Sequence, residues 1–211
     1  FFFFFFFFFC IIIYDTSIHD NRYSAFDEIL DQYGLYKVEV IGDAYYVVSG
    51  CPMVRSPGDN AERCVDASMA MLRTIPRVCD DSSVQIRVGI HAGPVIAGVV
   101  GVKDPRYHLF GPTVTTAMKM ESHGIPSKVH VSTAVVERLA LGNQQYSMES
   151  RGSEAAVPGQ EETFIILGKD RTLRKENKKV VEAGSDGGGE KSEGGGLRQR
   201  VVAISGSHST S

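Results

Sequence analysis

The stretch YKVEVIGDAYYVVSG, from Tyr36 to Gly50, constrains the fold more than any other part of the sequence. Two runs rich in β-branched and aromatic residues flank a Gly-Asp break, the pattern of an antiparallel hairpin with a tight turn. Gly42 can adopt positive φ without cost, and Asp43 tolerates such turns. Glu39 is harder to place, because it is a charge within an otherwise apolar run. The residues alone leave it open whether Glu39 is a solvated acid on an edge strand or part of a site. They leave Asp43 equally open between a turn-former and a ligand.

On either side of the hairpin the periodicity changes. YSAFDEILDQY sets Phe26, Ile29, Leu30 and Tyr33 on one helical face, and Gly34 ends the run. NAERCVDASMAMLRTI predicts an amphipathic helix capped by Asn60, with Cys64, Ala67, Met71 and Ile75 turned inward. VQIRVGIHAG alternates Val84, Ile86, Val88 and Ile90 as a strand with one buried face. A glycine-punctuated VIAGVVGVKDP follows, then a short strand, RYHLF. PTVTTAMKMESHG reads as a helix with Pro112 in its first turn and Gly124 at its end. VHVS, TAVVERLA, YSMES and TFIIL complete the order as strand, helix, strand and strand. Helices alternating with strands and one hairpin predict an α+β sandwich, with helices packed on a mainly antiparallel sheet.

The two ends of the chain stand apart. FFFFFFFFFCIIIY is too short for a membrane span, which needs roughly 18 apolar residues, and it lacks the basic leader and cleavage site of a secretory signal. Residues 1–22 are therefore read as an anomalous low-complexity segment, from a truncated or mispredicted gene start, and are left out of the expected domain. Beyond Lys169 the chain turns charged and then Gly- and Ser-rich, through GSDGGGEKSEGGG to ISGSHSTS. Such a composition buries too little apolar surface to offset ordering entropy, so residues 170–211 are expected to be a disordered tail. The domain is then 23–169, with its first strand missing. A net charge of -3 gives no general attraction to nucleic acid or to an acidic membrane. The four cysteines show no CxxC or zinc spacing, which fits free thiols in a reducing cytoplasm.

KVEVIGDAYYVVSG, VGIHAGPVIAGVVG, PRYHLFG and the helix after them stand in one order. Together they resemble the catalytic domain of class III nucleotide cyclases, most closely guanylate cyclases, over about residues 23–168. The resemblance implies a ferredoxin-like-type sandwich that converts GTP to cyclic GMP and pyrophosphate. In that reaction the ribose 3′-oxygen attacks the α-phosphate while two divalent metals, Mg2+ or Mn2+, neutralise charge. By position, Asp43 matches a metal-binding aspartate and Glu39 the residue that reads guanine. Lys103 matches a cation on the terminal phosphates. His108 falls where guanylate cyclases carry cysteine and adenylate cyclases aspartate, and a histidine can donate or accept there. His91 fits the family pattern in a structural role. GVVG lacks the GK[ST] continuation of a Walker loop.

The departures from the family pattern fall on one side of the site. Thr115 stands for an asparagine that orients the ribose, and Lys119 for an arginine that stabilises α-phosphate charge. Lysine keeps the charge but loses the planar fork. AAVPGQEE replaces a lysine-rich KGKG loop, leaving Pro158 and Gln160 where cations would lie. The aspartate of the family's first strand has no match, and Asp15 sits much too close to Asp43 in sequence to substitute for it. Class III sites form between two catalytic domains, so the resemblance implies a metal-donating half paired with a second cyclase domain, a heterodimer rather than a homodimer. In that arrangement Glu39 and His108 fall in a vestigial half-site. A catalytically silent cyclase-like module and an adenylate cyclase partner remain as alternatives. The implied location is cytoplasmic, in many guanylate cyclases at the cytoplasmic end of a membrane-spanning receptor.

Overall fold

The structure, a computed structural model, describes residues 6–14, 20–42, 44–79, 84–152, 157–160, 162–170; side chains are described from residue 24 onward. In chain order the elements are β1 (Phe6–Tyr14), α1 (Asp20–Tyr33), β2 (Tyr36–Ile41), β3 (Ala44–Ser49), α2 (Pro57–Val78) and β4 (Arg87–Val100). They continue with β5 (Arg106–Phe110), α3 (Pro112–Ser122), β6 (Val129–Ser132), α4 (Thr133–Leu139), β7 (Tyr146–Ser150) and β8 (Thr163–Lys169). The sheet runs β2-β3-β1-β4-β6-β8-β7, with β5 paired to β4 alone. Among the described residues only β4 and β6 pair in parallel. The first six elements are two interleaved split βαβ units whose strands lie in the order β4-β1-β3-β2, which is the ferredoxin-like arrangement.

This topology corrects the reading of the N-terminal segment. Residues 6–14, excluded from the domain on composition, form the strand at the centre of the βαββαβ unit. It pairs antiparallel with β3, from Phe9↔Ser49 to Tyr14↔Ala44, and with β4, from Phe6↔Val95 to Tyr14↔Arg87. The physical reason is hydrogen bonding: without β1, the facing edges of β3 and β4 would leave backbone donors and acceptors unpaired inside the sheet. Phenylalanine and isoleucine are residues that strands favour. The expected tail from residue 170 loses one residue to the fold, since the Asp170 N–H donates to the Gln145 carbonyl at 2.9 Å; residues 171–211 lie outside the described residues.

Alternation along β3 sorts the two sheet faces. Tyr45 and Val47 point into the main core beneath α1 and α2, with Phe26, Leu30, Cys64, Met71, Val88 and Ile90. Ala44 and Tyr46 pack instead on Ala117 of α3. The predicted inward stripe of α2 holds: Cys64, Ala67, Met71 and Ile75 are all buried. Its cap does not. Ser56 caps the helix, accepting from the Asp59 N–H at 3.2 Å, with Pro57 opening the first turn. Asn60 lies one turn in, buried, and accepts from Ser49 Oγ at 2.8 Å. Cys51, Cys64 and Cys79 are buried. Among the described residues no helix is long and apolar enough to cross a membrane.

Candidate active site

Glu39 owes its direction to an irregularity in β2. Pairing with β3 runs Lys37↔Val47 and then Glu39↔Tyr46, so Val38 is an extra residue in the ladder. A bulge of this kind bends the strand and re-aims the side chain that follows. Lys37 faces α1, where its Nζ meets the Asp27 carboxylate at 2.6 Å. Strict alternation would send Glu39 to that same face. Instead Val38 packs with Tyr107 and Leu109 of β5 in a small second core, and Glu39 meets His108 of β5. The His108 Nδ1 lies 3.2 Å from Glu39 Oε1, with the two side chains only 29% and 25% exposed.

β5 is held over β2 by contacts of its own. The Tyr107 ring packs edge-on against Tyr36 at 5.7 Å, and its hydroxyl meets the Cys51 thiol. Burial pushes the Tyr107 hydroxyl well above its usual range, and burial likewise pushes the Cys51 thiol up, so both stay protonated. Opposite His108 on the ladder sits Gly98, where an added Cβ would meet nothing within 4 Å. Space therefore remains beside the Glu39–His108 pair.

α3 lies on β4 at van der Waals contact through two glycines. A Cβ on Gly89 would fall 2.1 Å from the Glu121 nitrogen, and one on Gly93 would fall 2.6 Å from Thr113 Oγ1. The hydroxyl of Thr113 donates to the Pro94 carbonyl at 2.6 Å, and Arg87 Nε donates to the buried Glu121 carboxylate at 2.8 Å. This clamp presents Thr115, exposed, and Lys119 one turn later on the outer side of the helix. The Lys119 ammonium reaches the Pro158 carbonyl at 3.5 Å. Two of the departures from the family pattern are thus in contact.

The remaining candidates are spread more widely. Lys103 is exposed on the loop between β4 and β5. Asp43 lies outside the described residues, as does Asp15. The β1–β3 ladder ends with Tyr14 opposite Ala44. Among the described residues, no group of three or more His, Cys, Asp or Glu could hold a metal. His91 has the structural role expected of it. Its Nδ1 lies 2.7 Å from Ser132 Oγ, and burial, aided by Arg138, holds the imidazole down to about 4. The fully buried His130 bonds the Met120 carbonyl at 2.7 Å, and burial holds it to about 4 as well.

Sequence reasoning missed Tyr107, Tyr36 and the Val38 bulge. No local signal marks the bulge, whereas two tyrosines flanking a candidate pair could have suggested a brace.

The family model described as "Adenylate and Guanylate cyclase catalytic domain" matches residues 16–168. The chain is 44% identical over 155 residues to retinal guanylyl cyclase 2 of Mus musculus, covering 71% of this chain and 14% of that protein. It is 42% identical over 156 residues to guanylate cyclase soluble subunit beta-2 of Homo sapiens, covering 72% of this chain and 25% of the relative. It therefore spans only a small part of the length of these curated relatives. Among solved structures, the guanylate cyclase domain of RhGC from Catenaria anguillulae in complex with GTP matches with a TM-score of 0.69 at 26% identity, covering 78% of this chain and 97% of that one. The adenylyl cyclase CyaB from P. aeruginosa shares the fold, with a TM-score of 0.72 at 16% identity, covering 81% and 98%. With its ordered motifs, its ferredoxin-like sheet order and the family match in agreement, the chain belongs to the adenylate and guanylate cyclase catalytic domain family.

Proposed function

We propose that this chain is a guanylate cyclase domain that converts GTP to cyclic GMP and pyrophosphate as one half of a two-domain site. The observation that carries the reading is Glu39, turned by the Val38 bulge away from α1 and toward β5, beside open space at Gly98. A carboxylate at this position is of the type that accepts from guanine N1–H and from the 2-amino group, a donor pair that adenine lacks, and it marks the chain as guanylate cyclase-like even where the partner's own residue at this position reads the bound base. The structure of a relative in complex with GTP supports the same substrate class.

In the reaction the ribose 3′-hydroxyl loses its proton, its oxygen bonds the α-phosphorus, and the bond to the pyrophosphate oxygen breaks. Lys103 supplies a cation to the terminal phosphates. Asp43, between β2 and β3, is a hard oxygen donor of the kind that Mg2+ or Mn2+ accepts. When bound, such a metal neutralises phosphate charge and acidifies the attacking hydroxyl.

The same reading assigns the chain to the metal-donating side of a heterodimer. Thr115 cannot orient a ribose through two polar groups as an amide would. Lys119 has a point charge engaged with the Pro158 carbonyl in place of a bidentate fork. A partner domain of the same family would supply the asparagine, arginine and loop lysine. Exposed apolar residues on the β4–β5 ribbon, Ile96, Val99 and Phe110, and Met118 on α3 offer it a surface. The engagement of Lys119 also favours a second reading, a silent module that only pairs. The deciding experiment measures cyclic GMP from GTP with Mg2+ or Mn2+, for the chain alone and mixed with such a partner. Negligible product alone and turnover on mixing supports the enzyme subunit; no turnover in either case supports the silent module.

A further inference from the structure

We propose that the chain carries a second binding site, for a phosphate monoester with a small apolar body, apart from the groups assigned to the reaction. The site is a cavity of about 590 Å3 between α2, the turn that leads into β6, and β8. No residue of the 36–50 hairpin, of α3 or of the β4–β5 ribbon lines it. Its volume falls within the range of small-ligand pockets.

The wall of the cavity is apolar. Tyr33, Met69 and Leu72 pack at the edge of the main core and are only partly buried, and Ile166 of that core closes the inner side. Covering such surface with an apolar ligand group is favourable. The rim carries charge. Arg73 on α2 and Lys128 before β6 both line the cavity, and neither side chain bonds to any described residue. The remaining charges neutralise each other. The Asp66 carboxylate, only 9% exposed, accepts from Lys169 Nζ at 2.6 Å and from the Tyr146 hydroxyl at 3.0 Å. Two cations from separate elements are thus left facing one cavity.

That pair suits a phosphate monoester, whose charge near neutral pH approaches −2. The Arg73 guanidinium is a planar fork that fits two phosphate oxygens, and the Lys128 ammonium is a point charge for the third. A ligand so held lays its apolar body against Met69 and Leu72. The turn that carries Lys128 is fixed at a cost. Among the described residues, Ser127 is the non-glycine with positive φ, at 59°. Its N–H donates to the Ile86 carbonyl at 2.8 Å, and the Lys128 N–H donates to the Ile125 carbonyl at 3.1 Å. A serine in the left-handed region is uncommon, and such backbone concentrates at ligand-holding sites.

The test is a titration of inorganic phosphate and of phenyl phosphate into the isotope-labelled 211-residue chain, followed by NMR of its amides. Shifts are expected at residues 127–129 and 166–169 and around Arg73, with phenyl phosphate binding about tenfold more tightly than phosphate. Arg73→Ala and Lys128→Ala, at exposed positions, should each weaken phenyl phosphate about tenfold. Phenyl phosphate should also raise the melting temperature of the parent and leave that of the double variant unchanged. Absence of shifts at these amides overturns the proposal. Shifts centred on Lys103 and the hairpin overturn it too, because the anion then sits among the groups of the reaction. Equal affinity for the two probes, or full affinity in both single variants, would show charge attraction at the surface without a built site.

Discussion

At the scale of single residues, the site depends on groups whose roles follow from what they touch. On the metal-donating side Glu39 lies in the half-site that binds no substrate, so Glu39→Gln should leave GTP use within about twofold of the parent. Glu39→Lys should likewise leave the ratio of kcat/KM for GTP and ATP unchanged. A ratio shifted toward ATP would place Glu39 in the productive half-site instead. Two histidines, the half-buried His91 and the buried His130, make a separate, pH-dependent prediction. His91 and His130 are held to about 4, against 6.5 for an exposed imidazole. Below about pH 6.5 the unfolded chain takes up protons that the folded chain refuses until about 4, so stability present above 6.5 is lost as pH falls through this window. His130 is faced by Met120 through its carbonyl and by Arg151 and His123 through their charges, all of which are described around it. His130→Asn keeps a donor for Met120 without a titrating ring. Denaturant unfolding at pH 7.5 and 5 should therefore show a smaller drop for the variant than for the parent, by on the order of 2 kcal/mol. Equal drops would show that His130 is not held neutral.

At the scale of elements, close approach of α3 to β4 is what presents Thr115 and Lys119, and the glycines of β4 differ sharply in why they are there. Gly89→Ala would drive a Cβ into the backbone of Glu121, and should cost about 2–3 kcal/mol of stability by overpacking. Gly98→Ala meets nothing within 4 Å and should leave the melting temperature unchanged or slightly higher. Thermal unfolding of both variants checks the contrast, and similar losses in both would mean that strand conformation, not helix contact, selects glycine. Much at this scale was legible in the sequence. The 36–50 hairpin, the stripe on α2 and the order of elements all follow from local periodicity and turn chemistry. The cap of α2 was also legible, since Ser56, Pro57 and Asp59 form a starting signal, but Asn60 drew the eye to a position one turn late. β1 was not legible, because a homopolymeric run has no alternation to read and its reason for being a strand is two partners far along the chain. The Val38 bulge and the Glu39–His108 contact were hidden for the same reason: register, and a separation of 69 residues, decide them.

At the scale of the whole molecule, the features divide between those the chain supplies and those it lacks. On the proposed reading it supplies Asp43 and the exposed Lys103. Its α3 carries Thr115 and a Lys119 turned to Pro158, where that reading calls for an amide and a guanidinium. A single copy would then have no complete set of groups for charge developing on the α-phosphate, and a second copy would bring the same deficit. Pairing with a domain that carries those groups should create activity that neither half shows alone. Within that pair Asp43→Ala should lower kcat on the order of a thousandfold, since metal-assisted charge neutralisation is worth several kcal/mol at the transition state. Thr115→Ala should change it little. The most direct test of the account is cyclic GMP production from GTP by this chain, alone and mixed with an asparagine- and arginine-bearing cyclase domain that is itself inactive. The account predicts negligible product from the chain alone and sustained turnover on mixing; robust turnover by the chain alone would contradict it.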